Sequence, residues 1–399
     1  MLKEKTIILG VAGSIAAYKI ANLASMLVKL HANVHVIMTQ NATNFINPIT
    51  FETLTSNKCL LDTFDRNFQH SVEHIALAKK ADLCVVAPAS ANVIGKMANG
   101  IADDMLTTTV LACKCKKIVA PAMNTNMYTN PIVIDNINKL KAYGFEIIEA
   151  DSGYLACKDT GAGKMPSEDT LLENILKEIA CDKDMVGKKV LVSAGPTRER
   201  IDPVRFITNH STGKMGYAIA KNCMRRGAQV TLITGKTHIN HPDFMEVVEV
   251  DSAKEMFEAV EKIYKDMDII IKSAAVADYT PCSISEQKIK KSVGDMQIEL
   301  MRTTDILGFL GKNKTSKQYV CGFSMETENM LEYSKAKRKK KNIDMIIANN
   351  LKDEGAGFGT DTNIVTIITE DESIELPIMS KDEVATKIID EINKNYNLM

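Results

Sequence analysis

The 399-residue chain has no tryptophan, and aromatic residues make up only 5% of it. Neither sign of charge is in surplus: 49 Lys and Arg stand against 50 Asp and Glu, a formal net charge of −1. That balance excludes the basic excess with which nucleic-acid proteins hold a phosphate backbone. No apolar run approaches the roughly 18 residues of a membrane helix, so a spanning segment is excluded as well. There is no low-complexity tract, and the opening MLKEKTIILGVAG lacks the charged, apolar and cleavage regions of a secretory leader. A cytoplasmic location is therefore expected. The nine cysteines, an odd number scattered along the chain, read as reduced thiols. Cys113 and Cys115 alone cannot complete a zinc site.

What is present is an ordinary apolar share, 45%, in a chain long enough for two or three domains. The first half alternates strand-like runs (6–11, 34–38, 83–87, 118–120, 145–148) with helical patterns (15–30, 105–114, 131–143). Such alternation predicts a parallel, doubly wound α/β sheet. Residues 151–166 break the pattern with three glycines and predict a mobile flap, closed by a helix around 171–179. A polar bridge, 181–189, separates the halves, giving expected domains of 1–183 and 187–399. The second half restarts with strands at 189–192, 230–233, 247–250, 269–273, 319–323 and 345–348. Helices fit 216–226, 253–265 and 330–341, then a hairpin (363–369, 374–379) and a last helix near 384–393.

Two strand-to-helix crossings carry chemistry. The first, Gly10-Val-Ala-Gly13-Ser14-Ile15, could hold a phosphate at a helix start, though tight turns need glycine anyway. A dinucleotide site would want an acidic residue closing the second strand, for the ribose. Here that strand ends Met38-Thr39-Gln40, which favours a mononucleotide such as FMN over NAD. Ser90, Asn92, Met123 and Asn124 follow other strand ends and border the same crevice. The second crossing, residues 193–216, carries Arg198, Arg200, Arg205 and Lys214, more cations than a plain connection needs. Its STGKMG segment is not a Walker loop, because Met215 stands where Ser or Thr would be. His70-Ser-Val-Glu73-His74 matches a metalloprotease pattern, but no large protease domain surrounds it. A solvated helix start and a general base over the crevice are its other readings.

Over essentially its whole length the sequence resembles the bacterial bifunctional coenzyme A biosynthesis proteins. In these a phosphopantothenoylcysteine decarboxylase is fused to a phosphopantothenate–cysteine ligase. The resemblance rests on GSIAAYK (13–19), His74-Ile75-x-Leu77, SANVIGKMANGIADD (90–104), PAMNTNM (121–127) and the flap GYLACKDTGAGKMP (153–166). In the second half it rests on Ile207-x-Asn209-x-Ser211-x-Gly213-Lys214-Met215-Gly216, Ala274-Ala-Val-Ala-Asp278-Tyr, the Lys288 motif, Gly322-Phe323-x-Met-Glu326 and Ala336-Lys337-x3-Lys341.

The resemblance implies a flavodoxin-like or Rossmann-like N-terminal sheet and a Rossmann-like C-terminal ligase domain. It implies FMN at Gly13, Ser14, Thr39, Ser90, Asn92 and Met123, with His74, Asn124 and Cys157 catalytic and Met127 near the substrate. For the ligase it implies CTP at Lys272, Ser273, Ala274, Asp278, Lys288, Thr304, Asp305, Ile306, Leu307, Phe323, Lys337 and Lys341. Mg²⁺ would be met by Asp278, and the acyl intermediate by Asn209 and Arg205. Asn209 and Lys288 are thereby catalytic candidates. Substrates would be 4′-phosphopantothenate, cysteine and CTP, and the assembly a homo-oligomer, a dodecamer built from decarboxylase trimers and ligase dimers. Lys158 and Thr304 depart from the usual glycine and proline. A non-catalytic regulatory flavoprotein and a peptidyl-cysteine decarboxylase are the rival classes; His74, Asn124 and Cys157 argue against the first, the fused second half against the other.

Overall fold

The computed structural model describes residues 1–64, 73–154, 159–290, 296–326, 328–350, 357 and 359–398, without the side chains of residues 73 and 350. It divides into two compact units, Met1–Ala180 and Cys181–Met399.

In the first unit, β1 (Thr6–Val11) leads through α1 (Ala17–Lys29) to β2 (Asn33–Met38) and α2 (Pro48–Thr55). Next come α3 (Glu73–Lys80), β3 (Leu83–Ala89), α4 (Ala91–Ala98), α5 (Met105–Ala112) and β4 (Lys116–Pro121). The unit closes with α6 (Thr125–Tyr128), α7 (Pro131–Ala142), β5 (Glu146–Ile147), β6 (Asp151–Tyr154), β7 (Thr160–Lys164) and α8 (Glu168–Ile179). The first five strands form one sheet in the order β2-β1-β3-β4-β5, every pair parallel. That is the flavodoxin-like order, whose switch point lies between β1 and β3. Helices cover both faces, so β1 is buried throughout. Ile7, Leu9 and Val11 belong to one core, with Leu23 and Leu27 of α1, and Ile8 to the other, with Leu106 of α5. The glycine-rich segment is a hairpin in its described arms, with β6 antiparallel to β7. Glycines at 153, 161 and 163 leave no apolar alternation by which its sequence could announce strands. Expected strand 145–148 shortens to the two residues of β5, at the sheet edge.

The second unit runs β8 (Lys189–Ala194), β9 (Arg198–Arg200), β10 (Phe206–Thr208), α9 (Lys214–Arg225), β11 (Gln229–Thr234), β12 (Glu246–Glu249) and α10 (Ala253–Ile263). It continues with β13 (Ile269–Lys272), β14 (Tyr279–Pro281), β15 (Leu300–Arg302), α11 (Ile306–Asn313), β16 (Tyr319–Glu326), α12 (Met330–Lys341) and β17 (Met345–Asn350). Last are β18 (Thr362–Asn363), β19 (Val365–Ile368), β20 (Ser373–Glu375), β21 (Met379–Ser380) and α13 (Lys381–Tyr396). An eight-stranded sheet has the order β12-β11-β8-β13-β16-β17-β19-β20. Numbered by appearance, its parallel strands read 3-2-1-4-5-6, the dinucleotide-fold order, with the antiparallel β19–β20 hairpin beyond. Its switch point falls between β8 and β13. Two small antiparallel pairs, β9–β10 and β14–β15, rise from the loops after β8 and β13. Both are too short and too polar to show a strand period in the sequence.

Most helices have a side-chain cap: Ser90 for α4, Asp104 for α5, Ser167 for α8, Asp305 for α11 and Ser380 for α13. The helices that follow the first strand of each sheet, α1 and α9, do not; Ala16 and Gly213 stand at their caps. At the start of α1 the Ala17 N–H donates to the Ser14 carbonyl at 2.9 Å instead; a helix start at a switch point is where sheets of this kind take anionic ligands.

Candidate functional sites

At the first unit's switch point lies a cavity of about 450 Å³. The turn after β1 (Gly13, Ser14), the cap of α4 (Ser90), the loop after β4 (Met123, Asn124), α6 (Met127) and the hairpin (Tyr154, Gly163) line it. Gly13 is required: a Cβ there would sit 2.7 Å from the Cβ of Asn41. Gly163, at φ +127°, leaves no room for a side chain against the Met123 carbonyl, and its own carbonyl accepts from the Met123 N–H at 3.0 Å. The hairpin is thus laid on the loop that carries Asn124.

Asn124 caps α6, accepting from the Asn126 N–H at 2.9 Å, and its amide donates to Asp159 at 3.0 Å. Thr39, directly after β2, has a buried hydroxyl with no hydrogen-bond partner among the described residues. Such an orphan suits a ligand's polar edge. Asn92 is exposed on α4 outside the lining. His74, in the first turn of α3, is also outside it, with Nδ1 buried and unpartnered among the described residues. Cys157, Lys158 and His70 lie outside the described residues. A larger hollow, about 600 Å³ and lined by Lys117, Lys139, Tyr143 and Phe145 among others, contains none of the candidates.

Two cavities meet at the second unit's switch point. One, about 370 Å³, is lined by Lys272, Asp278, Thr304, Asp305, Ile306, Leu307, Phe323, Lys337 and Lys341. The other, about 260 Å³, runs from Ser211–Gly216 at the start of α9 to Asn349, Asn363 and Lys381, and includes Ser273 and Ala274. Lys272, Asp278, Phe323 and Lys337 line both. The basic run of α12 divides by helical phase: Lys337 and Lys341, four apart, are half-buried, whereas Lys335, Lys339 and Lys340 are exposed. Asp305 caps α11 through the Gly308 N–H at 3.0 Å and pairs with Lys341. Burial alone would raise the Asp305 carboxyl, but Lys341 and the Gly308 N–H bring it below the usual range. Burial, reinforced by the charge of Lys337, pushes the Lys272 ammonium down to about 8. Its Nζ donates to the Ala274 carbonyl at 2.9 Å.

The loop cations are already paired. Arg200 binds Asp251 at 2.7 Å, Lys214 binds Asp361 at 2.6 Å, and Arg198 lies over the Phe206 ring at 4.9 Å. Arg205 donates to Asp202 and to the Ile289 carbonyl, both at 2.7 Å. Asn209 is exposed and donates to the Ala275 carbonyl at 3.0 Å. Lys288 is exposed in the β14–β15 loop and lines neither cavity. Lys291 lies outside the described residues. No group of three or more His, Cys, Asp or Glu that could hold a metal occurs among the described residues.

Sequence reasoning left out Arg302, Lys381, Asn349 and Asn363. Each reaches a cavity only through strand pairing or a late helix start, which local motifs do not report.

Residues 1–180 match the family described as "Flavoprotein", and residues 185–396 match "DNA/pantothenate metabolism flavoprotein C-terminal domain". The chain is 48% identical over 396 residues to the "Coenzyme A biosynthesis bifunctional protein CoaBC" of Bacillus subtilis, covering 98% of this chain and 97% of that one. To the protein of the same name in Borreliella burgdorferi it is 45% identical over 391 residues, 98% and 99% of the two chains. A third relative, a "Cysteine/Cysteine sulfinic acid decarboxylase" from an unknown prokaryotic organism, is 42% identical over 353 residues, 87% of this chain and 98% of that one.

Proposed function

The chain belongs to the family of bifunctional coenzyme A biosynthesis proteins, and from that premise we propose that it converts 4′-phosphopantothenate and cysteine into 4′-phosphopantetheine, by ligation and then decarboxylation. One observation carries the two-step reading. A single chain holds two different switch-point crevices, each facing an uncapped helix start and each lined by that family's residues.

In the ligase half, the carboxylate of phosphopantothenate attacks the α-phosphate of CTP, releasing pyrophosphate and forming an acyl-cytidylate; the amine of cysteine then displaces CMP. The 370 Å³ cavity suits the nucleotide. Lys272, Lys337 and Lys341 offset phosphate charge there, and Asp278 meets Mg²⁺ bound to the phosphates. Lys288 supplies the mobile cation for the charge that builds as pyrophosphate leaves. Asn209 and the α9 start hold the acyl group.

In the decarboxylase half, the uncapped start of α1, the cramped Gly13 and the orphaned Thr39 hydroxyl suit FMN. FMN, when bound, takes two electrons from the substrate's thiol-bearing carbon and returns them after carbon dioxide has left. Asn124 holds the departing carboxylate by hydrogen bonds, with Met127 beside it. His74 acts as base, and Cys157 returns a proton. The hairpin docked on Met123 excludes water from the reacting substrate.

The assembly we propose is a dodecamer of decarboxylase trimers and ligase dimers, located in the cytoplasm. Ile15, Tyr18, Met127 and Tyr154 support the trimer contact, being large apolar side chains exposed around the first cavity. So does His74, which its own unit's cavity leaves aside.

The test is one incubation with phosphopantothenate, cysteine, CTP and Mg²⁺, read by mass spectrometry. Phosphopantetheine with equimolar CMP is expected. The third relative's name motivates a second outcome: cysteamine formed from cysteine alone, with CTP untouched, would replace this reading by a free-cysteine decarboxylase.

A further inference from the structure

Between β9 and β10 the chain reverses through Ile201-Asp202-Pro203-Val204-Arg205. The Arg205 carbonyl accepts from the N–H groups of Ile201 (2.9 Å) and Asp202 (3.3 Å), closing the turn. The Asp202 carboxylate is buried and accepts from the Val204 and Arg205 N–H groups, each at 2.8 Å. That uses one of its oxygens for its own turn. Its other oxygen points out of the turn, accepting from the Arg205 side chain at 3.0 Å and from the Ile289 N–H at 3.2 Å. Arg205 completes the grip by donating to the Ile289 carbonyl at 2.7 Å. Nearby, the Ser285 N–H donates to the Ile201 carbonyl at 3.0 Å.

Both backbone groups of one residue, Ile289, are thus held by an ion pair on another element. Ile289 stands between Lys288 and Lys290, on the connection from β14 to β15, which is described as far as residue 290 and again from 296. Lys288 and Lys290 are exposed, whereas Ile289 between them is half-buried. Fixing one peptide on each side of Ile289 sets where the Lys288 stem departs. A cation on a four-carbon stem is costly to order at the moment of reaction, and an anchored base reduces that cost. A turn built only to close β9 and β10 would need the first carboxylate oxygen and not the second.

We infer that Asp202 is a positioning residue of the ligase reaction: with Arg205 it clasps the Ile289 peptide and aims Lys288 at the nucleotide cavity. This rests on the ligase role proposed for the second half, and the test separates the two.

In the full-length protein, pyrophosphate release from CTP and phosphopantothenate is followed without cysteine. Asp202→Ala should slow it by on the order of 10- to 100-fold while the CTP dissociation constant stays within about threefold. Trypsin should cut faster after Lys288 and Lys290 in the variant. The decarboxylase half, fed phosphopantothenoylcysteine, should keep its rate. In a Lys288→Ala background Asp202→Ala should add less than about twofold, because both changes remove one function. Wild-type pyrophosphate release by the variant overturns the inference, and so does a defect that multiplies with that of Lys288→Ala. Should Asp202→Ala fail to fold, Asp202→Asn keeps an acceptor for Ile289 but loses its charge on Arg205. The same cycle then decides. If the wild-type protein itself releases no pyrophosphate, the ligase reading fails; the trypsin comparison still decides whether the clasp holds the loop.

Discussion

Lys272 shows how one residue's surroundings set its chemistry. It sits at the end of β13, where two cavities meet, and burial together with Lys337 lowers its ammonium to about 8. A lowered lysine is charged below that value and neutral above it, so the attraction we propose for a nucleotide's phosphates is present at pH 7 and fades as pH rises through 8. CTP affinity should fall on the order of tenfold between pH 7 and pH 9.5, measured by equilibrium binding at constant ionic strength. Lys272→Met should bind more weakly at pH 7 and lose that dependence; a steep profile persisting in the variant would assign the titration elsewhere. Gly163 makes the opposite case, a residue defined by what it lacks. With φ at +127° and the Met123 carbonyl oxygen 2.3 Å from where a Cβ would stand, alanine there is strained by roughly 1–3 kcal/mol. Gly163→Ala should lift the hairpin from the Asn124 loop and slow decarboxylation at least several-fold. Pyrophosphate release should not change.

At the scale of elements, charge ties together parts that hydrophobic period places. Glu146 on β5 accepts from Lys116 of β4 at 2.7 Å and Lys177 of α8 at 3.0 Å. Burial alone would raise its carboxyl, but the two lysines hold it below the usual carboxylate range. A carboxyl lowered by folding adds stability above its unfolded pKa and gives it up as pH falls through the folded one. Glu146→Gln should therefore destabilise the first unit at pH 7, by about 1 kcal/mol for a partly exposed network. The difference should shrink as acid protonates the wild-type carboxylate, and calorimetry at pH 7 and pH 3.5 checks it. The same contrast explains what was legible. Buried strands such as β1, β8 and β13 are continuous apolar runs, and α12 shows its cationic face by spacing alone. Asp202 could be seen as a turn residue before proline, but not as a partner of Ile289, 87 positions away. The hairpin arms, β9–β10 and β14–β15 have no period to read. They exist because tertiary hydrogen bonds hold them, and a local pattern cannot report those.

For the whole molecule, a parallel sheet and a mainly parallel one with different strand orders give two switch-point crevices built by one rule, to which we assign different chemistry. The reactions are ordered by their chemistry: a carboxylate must receive cysteine before the cysteinyl carboxylate can leave. A block in the second step should therefore leave the first intact and expose its product. Asn124 is the residue to test, because it lines the first cavity and caps only the four-residue α6, so its loss costs little of the fold. Asn124→Ala with phosphopantothenate, cysteine and CTP should accumulate phosphopantothenoylcysteine one-for-one with CMP, pyrophosphate release keeping its wild-type rate. Asp202→Ala under the same conditions should accumulate neither intermediate nor product beyond its slowed first step, yet still decarboxylate added phosphopantothenoylcysteine. Mixing the two variants should restore phosphopantetheine, since each contributes the half the other has lost and the intermediate can pass between them through solution. Failure of the mixture, with each half active when assayed alone, would mean that the intermediate must pass within one assembly and never reaches solution.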